Sequence, residues 1–149
     1  MAYAYALHWL GLVVWIGGMA FAHLVLRPSL VALAPPARLT LLAGVFARFL
    51  PIAGVAIVAV VASGAWLIHA EGGVMQTSTG IRAMAGTGIL MALIYGYVAF
   101  APYQRLRASV AGGDFSAAAR AMRAIRALIA LNLGLGTVTV LIAAWHRAA

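Results

Sequence analysis

Six side chains in this sequence have the type and setting to do chemistry. They are His8, Trp15, His69, Met84, Asn132 and His146. An ionisable or metal-liganding group is costly inside an apolar run, so each one found there is a candidate site. His8 lies about a turn and a half inside one end of an apolar helix. His69 stands near the end of the next such run, and His146 just beyond the end of the last. Helical spacing of about 100° per residue puts His8, Leu12, Trp15 and Met19 in one stripe. The same spacing groups Met84, Gly88, Met91 and Tyr95, and separately Asn132, Gly136, Thr139 and His146. If these stripes face one another, imidazole, thioether, amide and hydroxyl groups meet in one half of a bundle. Imidazole and thioether donors suit copper, the thioether Cu(I) in particular. Two imidazoles on facing helices also suit the axial positions of a haem iron. Met75 and Gln76, in a loop on the same side, extend the set toward a shallow ion site.

Each of these residues also has a plainer use. His69 and His146 stand where a His snorkels to the water boundary. Met84 and Met91 are ordinary packing residues, and Trp9, Trp66 and Trp145 suit interface anchors. Trp15 is the tryptophan in mid-span. His23, beside Arg27 and Pro28, reads as interfacial, and Glu71, two residues after His69, as a solvated loop carboxylate.

The elements that must position them are membrane spans. Of 149 residues, 66% are hydrophobic and 8% charged, a balance that a water-facing surface does not allow. A hydrocarbon core of about 30 Å needs about 20 apolar residues per helix. Spans are predicted at about 3–26, 49–70, 83–101 and 127–145, a single all-α domain of four transmembrane helices. The first is too long for a secretory leader and lacks its basic start and small-residue cleavage site. Arg27-Pro28 should end the first span and Pro102 the third. The second is entered through an amphipathic lead-in, Arg38 to Arg48, and kinked at Pro51. After Gly112-Gly113 an interfacial helix should start, capped by Asp114 or Ser116, with Arg120, Arg123 and Arg126 following at every third position. Helix packing should use Ala4, Gly11, Gly18 and Val25, with Gly17, on the first span, and Gly134 and Gly136 on the fourth.

Charge sets the direction. All ten basic residues are Arg, and the net charge is +8. The first and third connections carry Arg27, Arg38, Arg48, Arg105, Arg107, Arg120, Arg123 and Arg126; the opposite side carries Arg82 and Arg147, with Glu71. Cytoplasmic loops hold the positive excess, so both termini should face outward, the three His with them. The Arg residues sit at helix ends beside lipid, so no nucleic-acid partner is expected. With no Cys, disulfides, thiolate metal sites and Cys nucleophiles are excluded. No Ser-His-Asp set, phosphate loop or H-E-x-x-H is present, and Glu71 and Asp114 lie on opposite sides, so ordinary hydrolytic catalysis is not expected.

The phrases His8-Trp9-Leu10-Gly11, Val14-Trp15-Ile16-Gly17-Gly18-Met19 and Leu26-Arg27-Pro28 resemble the copper resistance protein D family, as do Phe46-Ala47-Arg48-Phe49, Ala62-Ser63-Gly64-Ala65-Trp66 and Ile129 to Gly136. The resemblance implies a bacterial inner-membrane protein of copper handling that works with periplasmic partners, His8 matching the family's first-helix His. The superfamily also takes in the membrane protoporphyrinogen oxidase of the HemJ type, which binds haem b. That relative has a Lys in its later helices and this chain has none, which argues against oxidase activity. Some short members carry a His at the start of the third helix. Here Arg82 and Met84 stand there, so that ligand is missing or supplied by His69.

Three readings follow. The first is a protein that binds or transports copper, with His8, His69, His146 and Met84 as ligands. The second is a b-type haem protein, an electron carrier or a haem-dependent oxidoreductase, its pocket formed by His8, His69, Trp15 and Asn132. The third is an accessory subunit of a larger membrane complex or oligomer. Transport needs a polar route through the whole membrane, and the inner half offers mainly His23 and Met19, so the expectation is a one-sided site.

Overall fold

The computed structural model describes residues 1–148, and the side chains of residues 1–143. Helix α1 (Ala2–Phe21) passes through a π-helical turn (Ala22–Leu26) into a short α2 (Arg27–Ser29). Helix α3 (Pro35–Ala70), α4 (Thr79–Phe100), α5 (Pro102–Ala111) and α6 (Phe115–Ala148) follow. Four helical stretches are long and apolar enough to cross a membrane: Ala2–Ser29, Pro35–Ala70, Thr79–Ala111 and Phe115–Ala143. In hydrocarbon, every backbone polar group must find its partner within the chain, and a continuous helix does this.

The first helix ends within one residue of Arg27-Pro28, at Ser29, after widening to a π turn over Ala22–Leu26. Pro28 has no N–H and its ring crowds the carbonyl of Leu24; the bond from Arg27 N–H to Ala22 O, five residues back, accommodates it. The helix limit that departs from the sequence expectation is that of α6. The stretch after Gly113 is not a separate interfacial helix but the start of one helix of 34 residues, about 51 Å long at 1.5 Å per residue. Asp114 caps it by accepting the Ala117 N–H at 2.8 Å, while Gly113 makes the turn at φ +74°. Pro102 ends α4 as expected, through an irregular Ala101, and starts α5. Pro51 is carried inside α3.

In the bundle, α1 packs along α3, and α4 and α5 pack on α6. Two cores result. The larger joins Leu39, Leu42 and Phe46 of α3, Leu106 of α5, and Ala118, Met122 and Ile125 of α6. This explains the amphipathic lead-in: its apolar stripe is covered by protein. The smaller core is Trp15, Met19, Ala56, Ile57 and Met91, in the middle of the bundle. Side chains such as Val55, Val58, Leu93 and Leu141 point outward, as a lipid-facing surface requires.

Among the small residues, Gly11, Gly18 and Gly136 do the close packing. A Cβ at Gly11 would lie 2.6 Å from Val60 Cγ2 and 2.9 Å from the Ala56 carbonyl, and one at Gly18 would run into the Phe49 ring. At Gly136 it would meet Met91 Cε at 3.1 Å and Ile16 Cδ1 at 3.2 Å. Gly17 and Gly134 correct the expectation: they face open space, and Val25 is exposed. The contact stripe follows the 3.6-residue turn of a straight helix, so an immediate neighbour or a residue two heptads along drifts out of it.

Candidate functional site

The three polar stripes read from the sequence turn toward the interior. Trp15 is 2% exposed, Asn132 3% and Met91 2%, with Met84, Thr139 and Tyr95 half-buried. They occupy two levels of the bundle, however, rather than one.

At the first level, His8 reaches across from α1 to α3. Its Nδ1 lies 3.0 Å from the Val60 carbonyl oxygen and 3.0 Å from Ser63 Oγ. A carbonyl can only accept, so the bonded Nδ1 carries the hydrogen and Nε2 of the neutral ring keeps its lone pair. Ser63, 4% exposed, accepts a share of that hydrogen and donates its own to the Ala59 carbonyl. Gly64 leaves room for the ring: a Cβ there would lie 3.2 Å from His8 Cε1. A metal-binding His is held in this way, with one ring nitrogen tied to a carbonyl and the other free to bind. Ser63, Gly64 and the Val60 carbonyl went unread as site components in the sequence. The available signal was the run of four small residues Ala62-Ser63-Gly64-Ala65, which lets another helix come close.

At the second level, about two to three turns deeper along α1, Trp15, Met19, Tyr95 and Asn132 line a small cavity of about 30 Å³. Asn132 Nδ2 donates to the Met91 carbonyl at 3.2 Å, and its Oδ1 is buried with no partner among the described residues. The Tyr95 hydroxyl donates to the Leu50 carbonyl at 2.7 Å, in the space that Gly54 leaves open. Between α4 and α6, Thr87 and Thr139 share a hydrogen bond of 2.8 Å.

The remaining candidates are placed as follows. His69 is exposed near the end of α3, six residues beyond Ser63, which is about 9 Å along the axis and a third of a turn around it. Met84 is on α4, which packs mainly along α6 and reaches α1 through Met91, two turns from Met84. Met75 is 87% exposed, and Gln76 and Glu71 are exposed as well. The side chain of His146 lies outside the described residues. Among the described residues, no three His, Cys, Asp or Glu come close enough together to hold a metal ion.

The eight Arg of the first and third connections fall at the opposite end of the bundle from His8. There the π turn, the start of α3 and the start of α6 enclose a second and larger cavity, of about 300 Å³.

Comparison with known proteins agrees with the architecture. No curated protein and no solved structure matches the chain. The family model described as Copper resistance protein D matches residues 43–146, from inside α3 to near the end of α6. That is well over half of the chain, so this four-helix membrane protein belongs to the copper resistance protein D family.

Proposed function

We propose that this protein binds copper at one face of a bacterial inner membrane, with His8 as the anchoring ligand. One observation carries the reading: His8 Nδ1 is committed to the Val60 carbonyl, which leaves Nε2 as a fixed, unprotonated donor on a half-buried side chain. Family membership supplies the metal, and the positive-inside rule supplies the face. With eight Arg at the far end, the His8 end faces the periplasm, where a copper-carrying partner would deliver or collect the ion. His8 takes the first ligand position; His69 at the rim, His146 and Met84 are the proposed further donors. The cargo is held on one side: below His8 the next polar groups are Asn132 and Tyr95, and then the apolar core around Phe46 begins.

The test is purification in mild detergent followed by elemental analysis and an optical spectrum. The proposal expects a colourless protein with near-stoichiometric copper that is lost in His8→Ala, while the variant still inserts in the membrane. Unchanged copper in His8→Ala overturns the assignment. A red protein with a Soret band that shifts on reduction would replace copper by haem b. Neither signal, with a partner that co-purifies, would leave an accessory subunit.

A further inference from the structure

We propose that the cavity at the Arg-rich end is a binding site for the headgroup of an anionic phospholipid. Its ligand is a phosphodiester that enters from the bilayer, and the proposal does not depend on the copper reading.

Four arginines line this cavity: Arg27 of α2, Arg38 of α3, and Arg123 and Arg126 of α6. They come from three separate elements, and the charges of Arg27, Arg38 and Arg123 all bear on Arg126. Among the described residues, no acidic one lines the cavity. The nearest carboxylate in sequence, Asp114, is engaged as the cap of α6, and Glu71 belongs to the loop at the other end. Four like charges drawn around one space repel one another unless an anion joins them, and Arg offers planar, paired donors that suit a phosphate. His23 adds a fifth polar group to the wall.

The rest of the lining says which kind of anion. Leu42, Phe46, Met122 and Ile129 form an apolar wall behind the guanidinium groups. A freely soluble phosphate has no use for that wall, whereas a lipid has a glycerol and acyl portion to lay on it. Exposed Leu24, Val25 and Val31 continue the apolar surface outward from the opening. The level is also that of a headgroup, since Arg126 immediately precedes the apolar run of α6. The π turn contributes directly: Ala22, His23 and Leu26 all line the cavity, so the widening forced by Pro28 shapes its wall. Such turns interrupt a regular helix and recur at functional sites.

The test uses the full chain, delipidated in a neutral detergent and titrated with defined lipids, with binding read by native mass spectrometry. Phosphatidylglycerol should bind on the order of tenfold or more tighter than phosphatidylcholine, because charge and not chain length is read. The double variant Arg38→Gln/Arg126→Gln should weaken phosphatidylglycerol by about twenty-five-fold, from roughly a factor of five for each charge removed. Arg38→Lys/Arg126→Lys should recover most of the affinity and serves as the check that the fold is intact. Arg105→Gln/Arg107→Gln removes the same net charge from exposed positions outside the cavity and should leave binding unchanged. The proposal is overturned if that control pair weakens binding equally, since the attraction would then be diffuse. It is overturned as well if millimolar inorganic phosphate displaces the lipid, or if the two lipids bind alike.

Discussion

His8 on α1 is hydrogen-bonded to the Val60 carbonyl on α3, 3.0 Å away, one turn from the tight packing of Gly11 against the same valine. The contact is possible because Gly11, one turn further along α1, presents no side chain to Val60, and Gly64 presents none to the His8 ring. The same pair of glycines therefore sets the helix separation and the orientation of the imidazole.

Removing the support should weaken the metal without removing the ligand. Ser63→Ala takes away one of two acceptors for the His8 hydrogen and is expected to lower copper affinity by about tenfold, the low end for outer-shell partners of metal-binding His. A titration against a competing Cu(I) chelator measures it. Equal affinity in wild type and Ser63→Ala would show that the serine does nothing for the ring.

Glycine substitutions should divide by face. Gly11→Val and Gly18→Val place carbon where Val60, Ala56 and Phe49 already stand, and each should destabilise the bundle by about 1–3 kcal/mol. Gly17→Ala and Gly134→Ala enter open space and should be neutral or stabilising by up to about 1 kcal/mol. Denaturation in mixed micelles separates the two groups. A damaging Gly17→Ala would mean that the exposed face of α1 is covered by something in the membrane.

Asn132 offers a sharper balance. Leucine at this position loses the bond to the Met91 carbonyl, worth about 0.6 kcal/mol by the average for such bonds in membranes. It also removes a buried acceptor without a partner, a burden of about 1–3 kcal/mol. Asn132→Leu is therefore expected to leave stability unchanged or raised, by the same micelle assay. A loss of more than about 2 kcal/mol would mean that Oδ1 has a partner in the native membrane.

Orientation can be measured directly because the chain has no cysteine of its own. Met75→Cys, in the exposed loop between α3 and α4, should react with an impermeant maleimide added to intact cells. Gln104→Cys, at the Arg-rich end, should react only after the membrane is opened. The reverse pattern would place the His8 end in the cytoplasm and end the periplasmic reading.

The fold was legible in the residues almost completely. Four apolar runs of membrane length admit no structure but helices, and the helix-breaking signals at Pro102 and Gly113 worked where they stand. Pro28 ends the first helix within one residue, at Ser29; what its position did not announce is the π turn before it, where Arg27 N–H bonds Ala22 O. The inward stripes were legible too, since periodicity alone places Trp15, Met91 and Asn132 on one side of their helices.

What periodicity could not supply was depth and partnership. His8 and Asn132 share an interior but not a level, and His69 stands a third of a turn away from the face on which Ser63 meets His8. The order of apolar and charged residues determined that this chain lives in a membrane, how many times it crosses, and which end gathers the positive charge, because those follow from solvation of each segment by itself. Tertiary structure decided which nitrogen of His8 is free and that four arginines from three elements surround one cavity. Both depend on distances between segments far apart in the chain, and those distances are set by where one helix lets another come close.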